Sequence, residues 1–182
     1  DYRNIFISGR RLDGTIMGIY LKDINLKGKT ALITGATKGL GRGAAIAIAE
    51  AGGNVIAIGR NEIELNTLKK EIKKFKVDYV PFNCDVNDYN RIKSFITKLK
   101  KLDILVNNAG TNIPEPFLSV KKSSMETLLN VNTKAVFNVA QLCANQIIKL
   151  KRKSGSIINI SSIFGLVAGQ KRSVYSCLLY TS

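Results

Sequence analysis

The chain has 182 residues, with 28 Lys and Arg against 13 Asp and Glu, a formal net charge of +15, and no histidine. This length accommodates one domain of ordinary size, and a hydrophobic content of 45% is sufficient for a folded core. The lack of histidine excludes Ser-His-Asp and Cys-His catalysis and disfavours a zinc site, so no metal is predicted. No apolar run approaches the roughly 20 residues of a membrane span. We therefore expect no membrane partner. The three cysteines lack paired or metal-binding spacing, which is typical of a reducing compartment, and we expect a cytoplasmic protein.

The positive charge raises the question of nucleic-acid binding. Many lysines are scattered along predicted helices, among them Lys69, Lys70, Lys98 and Lys100. This distribution favours solvated helix surfaces over a binding patch. We predict no nucleic-acid partner, although charge alone leaves that class open.

From residue 30 onward, short apolar runs alternate with helical stretches. The apolar runs predict strands at 30–34, 54–58, 77–82, 102–106 and 156–160. Because these strands are apolar along their length, they are expected to be buried on both faces of a parallel sheet. Helices would then cover either side of a doubly wound α/β fold.

Four helices are predicted between these strands. The first spans 39–51 and ends at a pair of glycines. Asn61 is expected to cap the second helix, and Asn87 the third. The fourth is predicted to begin at a capping box over 123–126 and to continue as one long helix towards Lys151.

A glycine-rich sequence, TGATKGLG at residues 34–41, lies where the first strand gives way to the first helix. Gly35 permits the tight turn, Gly39 allows a pyrophosphate to approach the backbone, and Gly41 allows close helix–sheet packing. The helix N-terminus adds unpaired N–H groups and a positive dipole end, which favour an anion. The spacing excludes a P-loop, which requires Gly-Lys-Ser/Thr, and differs from the G-x-G-x-x-G pattern. The loop therefore predicts a dinucleotide phosphate site.

The pattern T-G-x-x-x-G-x-G resembles the cofactor motif of the short-chain dehydrogenase/reductase family. Further family motifs follow in order: NCDV at 83–86, NNAG at 107–110, Asn132 in the long helix, ISS at 160–162, and Tyr175. The resemblance covers roughly residues 24–176. It implies a Rossmann-type, doubly wound parallel sheet with strand order 3-2-1-4-5.

Two cations predict which cofactor the site prefers. An NAD site places Asp or Glu about 20 residues beyond the glycine loop to bind the ribose 2′-OH, but that position is Gly59 here. Arg60 follows it, and Lys38 lies within the loop, so a 2′-phosphate would be attracted. NADP(H) is therefore predicted over NAD(H), with two solvated surface cations as the alternative.

The resemblance completes the predicted cofactor set. It implies that Asp85 and Val86 contact the adenine ring and that residues 108–110 line the cofactor. The full set is Gly35, Thr37, Lys38, Gly39, Leu40, Gly41, Arg60, Asp85, Val86, Asn108, Ala109 and Gly110.

The resemblance also implies three catalytic residues. Ser162 would polarise a substrate carbonyl, Tyr175 would give or take its proton, and Asn132 would hold a proton-relay water. The family's lysine, four residues beyond the tyrosine, is replaced by Leu179. A free tyrosine has a pKa of about 10, so without that ammonium only about one in a thousand is ionised near pH 7. We therefore expect this chain itself to be inactive.

The two ends of the chain differ from the family pattern. Residues 1–16 precede Met17 and are expected to be a non-native or disordered leader, either translated upstream sequence or a tag. Residues 177–182 read CLLYTS, which matches the translation of a transposon-type sequencing adapter, with a genuine tail as the alternative. The NADP-binding domain is therefore expected to span 17–176. The helix after the fifth strand and all later elements are expected to be absent.

The implied activity is reduction of a carbonyl, or oxidation of a secondary alcohol, by hydride transfer with NADP(H) on a small-molecule substrate. The sequence is similar both to 3-oxoacyl-carrier-protein reductases and to sugar or gluconate dehydrogenases, which leaves the substrate open. The family implies a homodimer or homotetramer assembled through the long helix. A non-catalytic NADP-binding or scaffold protein of the same fold is the alternative.

Overall fold

The computed structural model describes residues 24–152 and 154–180, and one parallel sheet lies at its centre. Its strands are β1 (Thr30–Thr34), β2 (Asn54–Gly59), β3 (Tyr79–Asn83), β4 (Ile104–Asn107) and β5 (Ser156–Asn159). They lie in the order β3-β2-β1-β4-β5, and every neighbouring pair is parallel. The predicted fold class and strand order are therefore confirmed. The leader predicted for residues 1–16 lies outside the described residues, as do the last two residues of the predicted tail.

The strands differ in burial according to their place in the sheet. Every residue of β1 is buried, as are the last five residues of β2, because both strands have neighbours at each edge and helices on each face. β5 lies at one edge, and all four of its residues are exposed, including Ile157 and Ile158 at 42% and 47%. An apolar edge of this kind favours association or aggregation.

Six α-helices lie in the described part of the chain: α1 (Gly39–Glu50), α2 (Glu62–Ile72), α3 (Tyr89–Ile96), α4 (Lys122–Leu129), α5 (Ala135–Lys149) and α6 (Ser173–Tyr180). Successive β1 residues point to opposite faces. Ile33 packs in a core with Leu65 of α2, whereas Leu32 packs in a second core with Ile92 and Val139 of α3 and α5. None of these helices is long and apolar enough to cross a membrane.

Two predicted helix caps have different outcomes. Asn61 caps α2 as predicted, because its side-chain oxygen accepts from the Glu64 N–H at 3.1 Å. The prediction that Asn87 caps the third helix is wrong, since α3 begins one residue later and is capped by Asp88, which accepts from the Arg91 N–H at 3.1 Å. The Asn87 N–H instead donates to the Asp85 carboxylate at 2.8 Å, in the turn that precedes the helix.

The capping box predicted over 123–126 is also wrong. The cap residue of α4 is Lys121, which makes no side-chain capping bond. Glu115, from the preceding loop, supplies the acceptor instead. Its carboxylate accepts from the Lys121 N–H at 3.1 Å and from the Ser124 hydroxyl at 3.0 Å. A carboxylate that precedes the helix thus accepts the hydrogen bonds at the start of α4. The local spacing of residues 123–126 does not reveal this contact.

The predicted long helix is present over residues 122–149, but one turn within it is not α-helical. α4 and α5 are joined by a π-helical turn, Asn130–Lys134, in which the backbone winds more widely. π-turns of this kind are frequent at functional sites, and this one carries Asn132.

The prediction that the helix after the fifth strand is absent is wrong. α6 forms over two turns, preceded by a short 3-10 turn, Ile163–Gly165. The two pack closely, because a Cβ built on Gly165 would lie 2.6 Å from the Leu179 carbonyl oxygen. Residues 177–180 of the predicted tail therefore belong to this helix.

Candidate nucleotide-binding site

The loop between β1 and α1 turns on glycines in the left-handed region, where other residues are strained. Gly35 has φ +64°, and a Cβ there would lie 2.9 Å from both the Asn108 amide nitrogen and the Ala109 Cα. Gly39 has φ +55°, with no atom within 4 Å of the same position. A Cβ on Gly41 would collide with the Gly35 carbonyl and with Asn108. Gly35 and Gly41 thus close the loop on itself, and Gly39 leaves open space.

Hydrogen bonds fix this loop to the end of β4. The Thr34 hydroxyl oxygen accepts from the backbone N–H groups of Asn108 and Ala109, both at 3.0 Å. The Asn108 side-chain amide donates to the carbonyl oxygens of Thr34 and Gly35 at 3.0 and 3.2 Å. The two strand ends satisfy each other's polar groups, so the loop is held by contacts that need no ligand.

The N-terminus of α1 is left without a side-chain cap. The cap residue is Lys38, whose backbone is extended with φ −151° and ψ 170°, and the first turn contains no acidic residue. The first N–H groups of an α-helix have no partner within the helix and carry partial positive charge. This end of α1 therefore suits an anion supplied from outside.

A cleft of about 830 Å³ opens at the carboxyl ends of β1, β2 and β4. Eleven of the twelve predicted cofactor residues line it: Gly35, Thr37, Lys38, Gly39, Leu40, Arg60, Asp85, Val86, Asn108, Ala109 and Gly110. Gly41 is the exception, because it packs inside the loop. The structure thus brings together, in one cavity, residues from four separate segments of the sequence.

Eight further residues line the cleft and were not predicted: Gly59, Asn61, Glu64, Cys84, Asn87, Thr111, Thr127 and Val131. Two of them, Cys84 after β3 and Thr111 after the NNAG motif, directly follow a strand or a motif, so their position was a usable signal. Thr127 and Val131 come from α4 and the π-turn, spaced four residues apart on one side of the helix. No sequence signal places that side against the cleft.

Charged groups gather where β2 and β3 end. Arg60 is 78% exposed, and its Nη1 lies 3.6 Å from Asp85 Oδ2. Gly59 lies beside the glycine loop, since a Cβ there would be 2.5 Å from Thr37 Cγ2. The position that carries an acid in NAD sites is therefore occupied by backbone alone, with a cation next to it.

Cys84 lies on the cleft wall next to these charges. Burial raises the pKa of the Cys84 thiol, Arg91 opposes the rise, and Asp88 and Asp85 add to it. The thiol also donates to the Asp85 carbonyl oxygen at 3.3 Å. It therefore remains protonated at neutral pH and adds no negative charge to the cleft.

The buried Asn132 side chain is hydrogen-bonded to Thr111, a residue that lines the cleft. Only 8% of Asn132 is exposed. Its side-chain oxygen accepts from the Thr111 N–H at 2.9 Å, and its amide nitrogen donates to the Thr111 carbonyl at 2.8 Å. The π-turn thus holds the segment after NNAG in place through a two-bond amide contact.

Ser162 and Tyr175 lie apart from the 830 Å³ cleft lining, in the last described segment. The Ser162 hydroxyl oxygen accepts from the Phe164 N–H at 3.3 Å, and the Tyr175 ring meets Phe164 edge-on with 6.3 Å between ring centroids. No hydrogen bond joins the two hydroxyls within residues 154–180. Leu179 lies on α6 one turn beyond Tyr175.

The sheet, the uncapped helix and the cleft define a nucleotide-binding α/β protein of Rossmann type. The family model for short chain dehydrogenase matches residues 29–177. The chain belongs to the short-chain dehydrogenase/reductase family.

Curated proteins and solved structures agree with this assignment. The chain is 33% identical to the 3-oxoacyl-[acyl-carrier-protein] reductase of Thermotoga maritima, over 84% of this chain and 63% of that protein. It is 35% identical to mouse L-xylulose reductase, over 84% and 61%. A 7α-hydroxysteroid dehydrogenase solved with NADH and 7-oxo-glycochenodeoxycholic acid superposes with TM-score 0.80 and 29% identity, over 87% and 62%. Other similar structures hold NAD or NADP, and the chain spans about three fifths of the length of these curated relatives.

Proposed function

We propose that this protein is an NADP(H)-preferring oxidoreductase that reduces a carbonyl, or oxidises a secondary alcohol, on a small molecule. The observation that carries the proposal is the cleft at the strand ends, with the uncapped α1 N-terminus on one side and Arg60 on another. The diphosphate would accept hydrogen bonds from the N–H groups that begin α1. Asp85 and Val86 would contact the adenine, and residues 108–110 would border the rest of the cofactor.

The cofactor preference follows from the charges near Gly59. A carboxylate at that position would accept from a ribose 2′-OH and would repel a 2′-phosphate. Lys38 and Arg60 instead supply two cations that line the cleft, and a guanidinium binds phosphate through two parallel N–H bonds. These charges support NADP(H) over NAD(H).

The chemistry would combine the bound nicotinamide, which supplies the hydride, with hydroxyls of the chain. Ser162 would donate a hydrogen bond to the substrate carbonyl oxygen. Tyr175 would transfer its proton to that oxygen as negative charge develops there. Asn132 would hold a relay water near the Thr111 segment that it already orients.

Leu179 bears directly on turnover. An ammonium at this position would favour the ionised phenol in a general acid–base step, and leucine supplies no charge. We therefore propose that the 182-residue chain binds cofactor but has negligible turnover. Leu179 also favours the second candidate, a non-catalytic NADP-binding protein of the same fold.

The substrate and assembly are proposed only as classes. The relatives reduce, by their names, a 3-oxoacyl-[acyl-carrier-protein] or L-xylulose, so we propose a small carbonyl or alcohol without naming one. We further propose a cytoplasmic homodimer or homotetramer of the full-length protein, with neither nucleic acid nor membrane as a partner.

Cofactor fluorescence titration tests the proposal. NADPH should bind with a lower Kd than NADH, and Lys38→Met should weaken NADPH more than NADH. Lys101→Met is the matched control, because Lys101 is an exposed lysine at the opposite, amino end of β4. Tighter binding of NADH, or equal effects of the two substitutions, would contradict the proposed preference.

A further inference from the structure

Arg42 joins the glycine loop to α2. Its Nη1 donates to the Thr37 carbonyl oxygen at 3.0 Å and to the Glu64 carbonyl oxygen at 3.3 Å. The same nitrogen lies 3.4 Å from Glu64 Oε2, and Nη2 lies 2.8 Å from Glu71 Oε1. Only 18% of the Arg42 side chain is exposed, against 47% and 43% for the two acids. One guanidinium thus holds a cleft residue, the first turn of α2 and two carboxylates.

The two carboxylates differ in where they lie. Glu64 lines the cleft together with Arg60 and Asn61, whereas Glu71, two turns further along α2, does not. Because Asn61 accepts from the Glu64 N–H, this acid is fixed close to the corner where β2 ends. Its charge would repel a dianionic 2′-phosphate held by Arg60, unless a cation compensates it.

We propose that Arg42 is a positioning residue that favours a 2′-phosphorylated cofactor, because it offsets part of the negative charge of Glu64 from outside the cleft while it also pairs with Glu71. This inference rests on the proposed function and adds a residue that does not itself line the cavity. Arg42 spares Lys38 and Arg60 from compensating Glu64, so that the only carboxylate that Arg60 pairs with among the described residues is Asp85, at 3.6 Å. The preference therefore depends on three cations, of which one acts indirectly.

Two isosteric substitutions on α2 provide the first test, with Kd values for NADPH and NADH measured on the full chain. Glu64→Gln should favour NADPH over NADH by a further three- to tenfold or so, the size of one partly screened charge interaction. Glu71→Gln is the matched control, because it removes a partner of Arg42 that lies outside the cleft, and the Kd ratio should stay within about twofold. Equal changes in the two variants, or none in either, would overturn the inference.

Substitution of Arg42 provides the second test. Arg42→Met should reduce the NADPH preference by about tenfold, and the double variant with Glu64→Gln should restore it. Arg42→Lys keeps the charge without the planar fork, so it should retain most of the ratio. A loss of affinity that is equal for both cofactors, or a lysine variant that behaves like the methionine variant, would show a merely structural tie and refute the inference.

The controls separate this inference from the proposed function. If the unsubstituted chain binds neither cofactor, or binds NADH more tightly, the proposed function fails and the inference fails with it. If the chain prefers NADPH and the ratio of the two Kd values does not change when Glu64 or Arg42 is substituted, only the inference fails. Circular dichroism and thermal melting without ligand monitor folding, and the two glutamine variants decide the question if Arg42→Met does not fold.

Discussion

Neutralising Asp103 should destabilise the fold by about 2–4 kcal/mol. Asp103 directly precedes β4 and is 2% exposed. One carboxylate oxygen accepts from the Thr30 N–H at 2.9 Å, and the other lies 2.8 Å from Arg152 Nε and 2.5 Å from Arg152 Nη2. Lys29 Nζ is 3.8 Å away. One buried acid therefore links the starts of β1 and β4 to the segment that leads into β5.

The magnitude follows from these bonds. A hydrogen bond to a charged group contributes about 1.5–3 kcal/mol. Asp103→Asn keeps one oxygen for the Thr30 N–H but turns an amide NH2 towards Arg152, so both bonds to Arg152 are lost. Arg152 is 31% exposed, so water replaces part of the loss, and the sum falls to about 2–4 kcal/mol. Arg152→Met leaves the buried carboxylate with the Thr30 N–H and with Lys29 at 3.8 Å, which should cost a similar amount.

Urea unfolding at pH 7 measures the prediction, with the slope against denaturant as a check that the transition stays two-state. The double variant of Asp103→Asn and Arg152→Met should lose less than the sum of the single losses, since the pair is then removed together. Glu126→Gln, an exposed acid on α4, serves as a control that should change stability by less than about 0.5 kcal/mol. A loss for Asp103→Asn as small as that of the control would refute the reasoning.

Three other substitutions test the site and the core. Gly35→Ala should abolish cofactor binding and lower stability by more than about 1 kcal/mol, since φ is +64° and the Cβ meets backbone. Gly39→Ala has a similar φ of +55° but open space for the Cβ, so it should lose less stability, and equal unfolding midpoints for the two variants would count against this. Gly59→Asp should weaken NADPH at least about tenfold relative to NADH, whereas Gly59→Ala, which adds the same Cβ without charge, should leave the ratio unchanged. Burial raises the pKa of the Cys143 thiol from 9.0 to about 12. As the pH rises, the unfolded chain therefore loses this proton before the folded chain does. The stability contributed by the buried thiol is retained below pH 9 and should fall towards pH 12 by up to about 1.4 kcal/mol per pH unit. Cys143→Ala should flatten that slope, and an unchanged slope in alkaline urea titrations would contradict the assignment.

The strands and helices at the centre of the sheet were predictable from the sequence, because the local sequence signals and the burial of the same residues agree there. β1 is apolar throughout and ends in the glycine loop, and the structure gives it the predicted bounds, Thr30–Thr34. Asn61 caps α2 as predicted because the acceptor and its N–H lie in the same turn. The strand order followed from the family resemblance, whose motifs lie at successive strand ends.

Elements that depend on distant partners were not predictable. The start of α4 is satisfied by Glu115, seven residues before the helix, which overrides the local Ser-x-x-Glu pattern. The π-turn Asn130–Lys134 carries Asn132, whose side chain bonds to Thr111, twenty-one residues earlier, and no local pattern indicates that contact. The contacts of Arg42, just outside the cleft, were not predictable because its acidic partners lie on a different helix.

The two halves of the candidate site are held by different means, and this bears on whether binding and turnover separate. Four hydrogen bonds between β1 and β4 fix the cofactor half, and the cleft it forms is lined by residues 35–131 alone. The candidate Ser162 and Tyr175 each contact Phe164, on a segment whose helix α6 packs against α4 and carries Leu179. Binding should therefore survive in this chain without appreciable carbonyl reduction. Steady NADPH oxidation with a ketone, abolished by Tyr175→Phe, would show instead that the phenol works without the missing ammonium.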